Sequence, residues 1–556
     1  MRHFDVQILG GIALFHRSIV EMQTGEGKTL TATLPMYLHA LAGNGVLLAT
    51  VNDYLAKRDA EWMMPIYHAL GMNVGIIQTE MQPPQRREAY HGDITYGTAK
   101  EFGFDFLKDR LLLRTIEEGK HDLIGTLLGD TQHQPSEKPM QREPYFALVD
   151  EADSILIDEA STPLIISATP AGDREMEAAK YAWAASVASQ FVDTTDYTYD
   201  PDKRTLDLSP SGRRKARALP KPTALDQTGF QDIYEFVQRA ILVRRNYHRD
   251  EHYVVRDGDI VIVDEFTGRL GEGRKWRDGI HQAVEAKEEV NVTCATGQAA
   301  RVTVQDFFLR FEHLAGMTGT ANTSRRELQS IYRCRVVPVP THRPPQRKRL
   351  KTRLFAAESA KWDAVVQEVI DVHQTGRPVL IGTRTIDKSE ILSEKLRQSG
   401  IDHVVLNANK IAEEAEIVSK AGERGKVTVS TNMAGRGTDI KIADDIRKLG
   451  GLHVICTEMH ESARIDRQLI GRCGRQGDPG TYRQYLSLED ELLRRAFAKK
   501  TFSPSAALGK ISLFLRAQRK VERKNFRNRK VMLYYEKERK KMQRSMGQDP
   551  YLDAPN

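Results

Sequence analysis

The sequence predicts an α/β protein with two parallel-sheet lobes, a β-containing domain inserted into the first lobe, and a C-terminal helix. Three observations predict this fold. Short apolar runs, typical of buried parallel strands, follow one another between Ser18 and Asp150 and again after about Lys351. A glycine-rich loop separates the first two runs. With 556 residues, the chain also exceeds the size at which single cores stop growing, about 250–300 residues.

The first lobe begins with a strand, a phosphate loop, a helix and a second strand. We predict the strands at Ser18–Glu21 and Gly45–Thr50, around the loop Met22-Gln-Thr-Gly-Glu-Gly-Lys-Thr29. Its glycines let backbone N–H groups close around phosphates, its lysine neutralises the β and γ charges, and its threonine hydroxyl can ligate Mg²⁺. Met22 stands where the strict Walker A pattern has glycine. The predicted ATP contacts are Thr24, Gly25, Glu26, Gly27, Lys28 and Thr29.

A second half of the ATP site follows the apolar run Tyr145–Asp150, which ends in Asp150-Glu-Ala-Asp153. We predict that Asp150 holds Mg²⁺ and that Glu151 polarises the attacking water as a general base. Gln7 stands where helicase-like ATPases contact the adenine with an amide. A phosphate loop followed by Asp-Glu-Ala-Asp after a strand indicates an ATPase of helicase superfamily 2.

The same alternation of strands and helices returns in the second half of the chain. We predict strands at Pro378–Thr383, Lys426–Thr431 and Leu452–Cys456. Two parallel-sheet lobes of this kind, with these motifs, indicate the RecA-like architecture of superfamily-2 helicases.

Loops of the second lobe carry charged residues suited to a nucleotide. Arg472 and Arg475 stand about one helical turn apart, so both guanidinium groups can meet a γ-phosphate across a cleft. Such an arginine finger supplies about 10³–10⁵ in rate only when the lobes close. Arg436 and Asp439 are further predicted nucleotide contacts, with Asp439 at the ribose or between the lobes.

Charge and cysteine content narrow the class of protein. The formal net charge is +7, but residues 516–544 alone hold thirteen lysines and arginines against three glutamates. The rest of the chain is close to neutral, so nucleic acid is not the expected partner. The four cysteines have no C-x-x-C spacing, so we predict no zinc site and a reducing cytoplasmic location. No apolar run approaches the roughly 18 residues of a spanning helix.

The inserted domain lies between the two parts of the first lobe. It contains Tyr253–Arg269, where Asp257-Gly258 joins two apolar runs as a β-hairpin. The basic run Arg343–Arg353 is predicted as a linker between the lobes. The predicted divisions are 1–167 with 311–345 for the first lobe, 168–310 for the insert, 346–500 for the second lobe, and 501–556 for a truncated helical scaffold.

The C-terminal basic segment has two interpretations. At helical spacing Phe514, Ala517, Val521, Met532 and Tyr535 share one face, which favours a scaffold helix packed on the lobes. The alternative is a contact with anionic lipid or nucleic acid.

Several motifs together resemble one family, SecA, the ATPase motors of bacterial preprotein translocation. The motifs run in order along the chain as Met1–Gln7, Thr24–Thr29, Thr50–Leu55, Asp93–Gly97, Asp153–Ala160, Val263–Arg269, Met317–Ala321, Ala434–Asp439 and Gly471–Asp478. Val263-Asp-Glu-Phe-Thr-Gly-Arg269 is not a general helicase motif, so the resemblance is specific.

The resemblance implies an ATP-driven motor that transfers unfolded preproteins into and across the cell membrane through the Sec channel. It implies that about 168–310 form the preprotein-cross-linking domain, a clamp for unfolded polypeptide, and that Gln7 and Asp439 contact the nucleotide. ATP and Mg²⁺ are the implied cofactors. The implied location is cytoplasmic and peripheral to the inner face of the membrane, where an anionic surface and a second copy in a homodimer are further partners.

Departures from the family leave two other functions open. Relative to the usual member we expect a chain shortened at both ends, without the helical segment before Met1 or the wing, two-helix finger and zinc-binding tail. Ser161 replaces a common arginine. The alternatives are a DEAD-type RNA- or DNA-dependent ATPase, and a shortened paralogue that binds ATP without pumping.

Overall fold

The chain divides into two compact units. The larger unit consists of Met1–Ile166 with Ala300–Asp553, and the smaller unit begins at Ser167 and ends at Ala299. The structure is a computed structural model that describes residues 2–119, 138–160, 162–168, 174–200, 205–225, 229–249, 252–256, 258–263, 270–271, 276, 279–293, 297–406, 411–431, 437, 439–497 and 511–552.

The first sheet of the larger unit is parallel and has the strand order β14-β1-β13-β5-β2-β4-β3. These strands are β1 (Ser18–Glu21), β2 (Val46–Thr50), β3 (Val74–Ile76), β4 (Ile94–Thr98), β5 (Phe146–Asp150), β13 (His313–Thr318) and β14 (Arg335–Pro338). The helices of this lobe are α1 (Asp5–Phe15), α2 (Lys28–Ala40), α3 (Asp53–Ala69), α4 (Pro83–His91), α5 (Ala99–Gly119), α10 (Val304–Phe308) and α11 (Arg325–Tyr332).

The register of this sheet aligns the carboxyl ends of β1, β13 and β5 at one edge of the sheet. Glu21 pairs with Thr318, and Met317 pairs with Asp150, so the carboxyl ends of three neighbouring strands coincide. Every residue of β5 is buried, as expected for a parallel strand covered on both faces. Because β13 follows the smaller unit in sequence but lies between β1 and β5, the sheet is completed only after the insert.

The second sheet is also parallel, in the order β15-β21-β20-β17-β19-β18, with β16 on β21 as well. Its strands are β15 (Gln346–Arg349), β16 (Arg353–Phe355), β17 (Val379–Thr383), β18 (Val404–Leu406), β19 (Val427–Thr431), β20 (Leu452–Cys456) and β21 (Pro479–Ser487). Its helices are α12 (Glu358–Gln374), α13 (Ile386–Gln398), α14 (Ile411–Lys420), α15 (Asp444–Lys448), α16 (Ala463–Ile470) and α17 (Glu491–Ala496).

The basic run Arg343–Arg353 is only partly a linker. Its residues Gln346–Arg349 form an edge strand, parallel to Pro479–Tyr482. The linker interpretation of this stretch was wrong because exposed edge strands tolerate charged side chains, so their residues lack the apolar pattern of a core strand.

A buried ion network stabilises the second lobe. The ammonium group of Lys361, with a side chain 0% exposed, lies 2.7 Å from Asp490, 3.6 Å from Glu358 and 3.9 Å from Glu458. Lys388 pairs with both glutamates. The three carboxylates lie close enough together to hold a metal ion, but these two ammonium groups already balance most of their charge.

Removing the central cation of this network tests its importance. We expect Lys361→Met to lower the unfolding free energy by about 3–5 kcal/mol, because it leaves buried carboxylates uncompensated. For a lobe of this size that corresponds to a fall of about 6 °C or more in the melting midpoint. Thermal unfolding followed by circular dichroism measures it.

Lys395→Met is the matched control, since Lys395 pairs with Asp363 at the surface, with side chains 34% and 68% exposed. We expect a cost below about 1 kcal/mol for this exposed pair. Equal melting midpoints for the Lys361 and Lys395 variants would contradict the prediction.

A long helix, α18 (Ile511–Ser545), packs on both lobes. Near its start, Phe514, Ala517 and Val521 join a buried apolar cluster with Leu492 and Leu493 of α17. This half of the helix therefore packs on the second lobe through three residues of its predicted apolar face.

The other half of α18 is held mainly by ion pairs with the first lobe. Arg529 contacts Glu327 at 2.6 Å, Glu536 contacts Arg301 at 3.2 Å, and Lys540 pairs with Asp306. Met532 and Tyr535, predicted on the packed face, are 49% and 67% exposed. That prediction was wrong because the contact moves from the second lobe to the first, which lies on a different side of the helix.

The smaller unit combines helices and short antiparallel strands. Trp183, Val187, Phe191, Ile233 and Val237 are among its core residues. Its elements are α6 (Arg174–Ala188), α7 (Pro210–Ala218), α8 (Phe230–Asn246), α9 (Ile280–Lys287), β7 (Tyr197–Asp200), β8 (Thr205–Leu208), β9 (Tyr253–Arg256), β10 (Asp259–Val263) and β11 (Leu270–Gly271). Two further strands, β6 (Pro163–Ala168) and β12 (Gly297–Thr303), pair with each other.

The hairpin predicted in the insert is present. Arg256 pairs with Asp259 across a two-residue turn in which Gly258 has φ +84°, a left-handed conformation that favours glycine. Asp264–Arg269, part of the family-specific motif, and Ser161 lie outside the described residues. Among the helices that the structure describes, none combines the length and apolarity needed to cross a bilayer.

Candidate active site

The glycine loop joins β1 to the N-terminus of α2. Gly25 and Gly27 have φ of +93° and +84°, so both need the left-handed conformation. Neighbouring side chains also leave little room for a Cβ, since one at Gly25 would lie 3.3 Å from Arg475 and one at Gly27 would meet the amide of Gln7. The loop thus directs the first N–H groups of α2 to the carboxyl edge of the sheet, an arrangement suited to a phosphate.

Gln7 lies directly against this loop. Its Nε2 donates to the carbonyl of Glu26 at 2.9 Å, and its Oε1 accepts from the N–H of Phe4 at 3.0 Å. The ring of Phe4 stacks on the ring of His342, with the ring centroids 3.8 Å apart. The backbone N–H of His342 donates to the Glu26 carboxylate at 3.0 Å. The predicted adenine contact of Gln7 stays a prediction.

Lys28 makes an ion pair with both acidic residues that follow β5. Its ammonium lies 2.7 Å from Glu151 and 3.8 Å from Asp150, and all three side chains are nearly buried. Burial lowers the pKa of Lys28, but the two carboxylates outweigh it and the net pKa is raised. Burial raises the pKa of Asp150 to about 7, with Lys28 opposing and Glu151 adding to the shift. At Asp150 the effect of burial therefore outweighs the attraction of the Lys28 ammonium group.

The backbone at Glu151 is strained. Its φ of +48° is left-handed, which costs a non-glycine residue about 1–3 kcal/mol. Its N–H donates to the Asp150 carboxylate at 2.9 Å, and its carbonyl accepts from Ser154 at 2.8 Å. These bonds hold the turn that brings Glu151 back to Lys28.

Arginines of the second lobe line the same cleft as Thr24 and Glu151. The lining from the second lobe includes Arg472 and Arg475. Arg475 is only 7% exposed; its Nε donates to Gly471 at 3.1 Å, and its guanidinium pairs with Asp439. Asp439 therefore contacts the predicted arginine finger, within its own lobe. Arg436 lies outside the described residues.

One glutamine missed in the sequence analysis joins the lobes at the phosphate loop. The Gln476 side chain donates to the carbonyl of Gly25 at 2.8 Å, and Gln476 itself has a left-handed φ of +50°. Its position directly after Arg475 was the available signal.

A second connection between the lobes centres on Asp153, which is fully buried. Its carboxylate accepts from Thr318 at 2.6 Å and Thr320 at 2.8 Å in the first lobe. From the second lobe it accepts from Arg464 at 3.2 Å and from Gln468. Arg464 also pairs with Asp158. The motifs Asp153–Ala160 and Met317–Ala321 carry the family resemblance, but their letters do not reveal that the two meet at this carboxylate.

Loss of Arg464 should uncouple the lobes without touching the phosphate loop. We expect Arg464→Met to reduce kcat for ATP at least about tenfold while nucleotide affinity changes little, because Asp153 and Asp158 lose their charged partner between the lobes. Steady-state ATPase and titration with a fluorescent nucleotide measure the two quantities.

The control is Arg467→Met on the same helix, where the side chain is exposed. It should leave kcat near the parent value. A fall of nucleotide affinity as large as the fall in kcat would contradict the coupling role of Arg464.

The site can also be judged as a cation site. Asp150 and Thr29 supply a carboxylate and a hydroxyl, the oxygen donors that Mg²⁺ prefers. Burial is the main cause of the raised pKa of Asp150, and the neighbouring Glu151 carboxylate adds to it, so a cation beside Asp150 would favour its charged form. These residues therefore fit a divalent cation held together with phosphates.

Comparison with known proteins finds one family. The model of the SecA DEAD-like domain matches residues 1–329, and that of the SecA P-loop domain matches 344–447 and 442–508. The chain is 57% identical to protein translocase subunit SecA 2 of Rhodopirellula baltica, over 100% of this chain and 87% of that protein. It is 47% identical to protein translocase subunit SecA of Syntrophus aciditrophicus, over 96% of this chain but only 62% of that protein.

Among solved structures, S. cerevisiae Dbp5 bound to RNA and ADP BeF3 aligns over 93% of this chain and 97% of that chain, with 12% identity and a TM-score of 0.37. The family match and the two parallel sheets together confirm the predicted fold class, with two RecA-like lobes.

Proposed function

Because the chain belongs to the SecA family, we propose that it is an ATP-driven motor that transfers preproteins into and across the cell membrane through the Sec channel. The observation that carries the proposal is the cleft in which Glu151 of the first lobe and Arg475 of the second line one space beside the glycine loop. A hydrolytic site divided between two lobes links each turnover to their relative movement.

The geometry supports a sequence of roles for the nucleotide site. Phosphates of ATP bind at the N-terminus of α2, and Lys28 exchanges its ion pair with Glu151 for the β and γ oxygens. Glu151 is then released to accept a proton from the attacking water. Thr29 and Asp150 would hold Mg²⁺, which would supply positive charge beside the phosphates. Arg472 and Arg475 stabilise the charge that develops on the transferred group.

Nucleotide contacts beyond the phosphates belong to the same proposal. Thr24, Glu26 and Gln7 surround the loop, and Arg436 and Asp439 contribute from the second lobe. No zinc enters the proposed mechanism.

The partners and location follow the family proposal. Protein translocase subunits of the SecA type act on preproteins, so we assign unfolded preprotein to the insert, now taken as the smaller unit at 167–299, and the Sec channel to the membrane side. The first lobe, 1–166 with 300–345, and the second lobe, 346–500, form the motor, with 501–556 as scaffold. The proposed location is the cytoplasm, at the inner face of the membrane, with self-association into a homodimer as a further feature.

Steady-state ATPase measured with three additions tests the function: an unfolded preprotein, RNA, and vesicles containing the channel. We expect preprotein and channel vesicles together to raise kcat. Stimulation by RNA alone would identify a nucleic-acid-dependent ATPase instead. ATP binding without stimulation by any addition would identify a paralogue that does not pump.

A further inference from the structure

A groove of about 460 Å³ lies beside the C-terminal half of α18, apart from the nucleotide cleft. Its lining includes four cations of this helix, Lys537, Lys540, Lys541 and Arg544, and one cation of the first lobe, Arg310. Asp306 also lines the groove, and Lys540 pairs with it. Among the described residues, the lining therefore has an excess of four positive charges.

Arg310 is the least satisfied of these cations. Its Cζ lies 3.6 Å from the ring centroid of Phe106, and the residue is half-buried. Within the part of the chain that the structure describes, no carboxylate lies within ion-pair distance of its guanidinium. Burial lowers the pKa of Arg310, and the nearby Arg110 adds to that shift. Tyr551, Asp306 and Glu143 oppose the shift without reversing it. A half-buried cation without an anionic partner is costly, so a bound anion would stabilise it.

Three cations of α18 face the groove without neutralisation. Lys537, Lys541 and Arg544 are spaced as i, i+4 and i+7, which places them on one side of the helix. None makes an ion pair with another described residue. Like charges at this spacing repel one another, and Glu536, a buried acid of the same helix, is engaged by Arg301 and Arg539.

We propose that this groove binds a ligand that carries two or more phosphoryl groups. The flat guanidinium of Arg310, held against Phe106, suits bidentate hydrogen bonds to phosphate oxygens, and the lysines act as point charges around it. A single carboxylate would leave three of the four excess charges unbalanced. Two sources share the chemistry: a soluble polyphosphate compound and the phosphate headgroups of an anionic lipid surface.

Pyrophosphate and lipid vesicles distinguish the sources. Calorimetric titration with pyrophosphate uses the Lys28→Ala chain, so that the nucleotide loop does not hold the probe. Sedimentation uses vesicles of phosphatidylglycerol, with phosphatidylcholine vesicles as the uncharged comparison. In the same background, Lys541→Gln with Arg544→Gln should weaken binding of at least one probe by about tenfold or more at low salt.

The matched control, Lys524→Gln with Arg527→Gln, removes the same charge from exposed positions of α18 outside the groove. A loss specific to pyrophosphate would support a soluble ligand, and a loss specific to anionic vesicles would support a lipid headgroup. Equal losses in the groove and control variants would overturn the proposal, as would unchanged binding of both probes in the groove variant.

Arg310→Met separates a ligand contact from a structural role. Methionine keeps the apolar contact with Phe106 but removes the unpaired charge, so we expect the melting midpoint to hold or rise while probe binding weakens. Pyrophosphate should raise the melting midpoint of the Lys28→Ala chain, and less so that of the same chain with Arg310→Met, because a ligand bound only to the folded state stabilises it. A lower midpoint with parent-like probe binding would make Arg310 structural and contradict the assignment.

Discussion

Glu151→Gln is expected to lower kcat for ATP by about 10²–10⁴-fold, the usual contribution of a positioned general base. The amide keeps the size of the side chain but cannot accept the proton of the attacking water. The substitution should not lower the affinity for the nucleotide. In this structure the Lys28 ammonium group pairs with Glu151 at 2.7 Å. Replacement of that carboxylate removes a group that competes with the phosphates for Lys28. We expect nucleotide affinity to be equal to or greater than that of the parent.

Single-turnover hydrolysis and nucleotide titration measure these two effects separately. Glu61→Gln is the matched control, because Glu61 is an exposed residue of the first lobe that pairs weakly with Lys57 at 3.9 Å. The control should hydrolyse ATP at the parent rate. Turnover of the Glu151 variant within a few-fold of the parent would remove Glu151 from the role of base.

Arg475→Ala is expected to reduce kcat by about 10³–10⁵-fold, the range for an arginine finger. The loss should be greater than that in the ground-state binding of ATP, because the guanidinium acts on charge that develops during the reaction. Asp439 pairs with Arg475 in this structure, so the finger must leave or share that partner to reach phosphate. Asp439→Asn should therefore have a much smaller effect on kcat than loss of the arginine.

Steady-state kinetics over a range of ATP concentrations separates kcat from KM for these variants. Arg397→Ala serves as the control, since Arg397 is an exposed arginine of the second lobe, 68% exposed in its pair with Glu394. A KM increase with unchanged kcat in the Arg475 variant would indicate uniform nucleotide binding and contradict the finger role.

Local features of the site were readable from the sequence. The glycines at 25 and 27 adjoin Lys28 in one strand–loop–helix segment, and the acidic pair directly follows β5, so the chemistry of each half of the site follows from short-range geometry. The same holds for the hairpin around Gly258. Contacts that depend on strand register could not be predicted from the sequence. Thr318 and Thr320 contact Asp153 only because β13 lies beside β5, although the smaller unit separates the two strands in sequence.

The C-terminal helix illustrates the same limit. Apolar periodicity found Phe514, Ala517 and Val521, whose burial follows from one continuous face. It failed at Met532 and Tyr535 because the surface that the helix contacts changes from one lobe to the other. Apolar periodicity predicts which residues of a helix share a face, but it does not predict which lobe packs against that face.

The sequence alone was sufficient for the two lobes, the phosphate loop and the acidic pair, because periodicity and loop chemistry are local properties of the chain. Tertiary structure alone decided that Lys28 rests on Glu151, that Gln476 reaches Gly25, and that Asp153 connects the lobes to each other. These contacts join residues more than a hundred positions apart, and long-range packing, which no local pattern encodes, determines which of them meet.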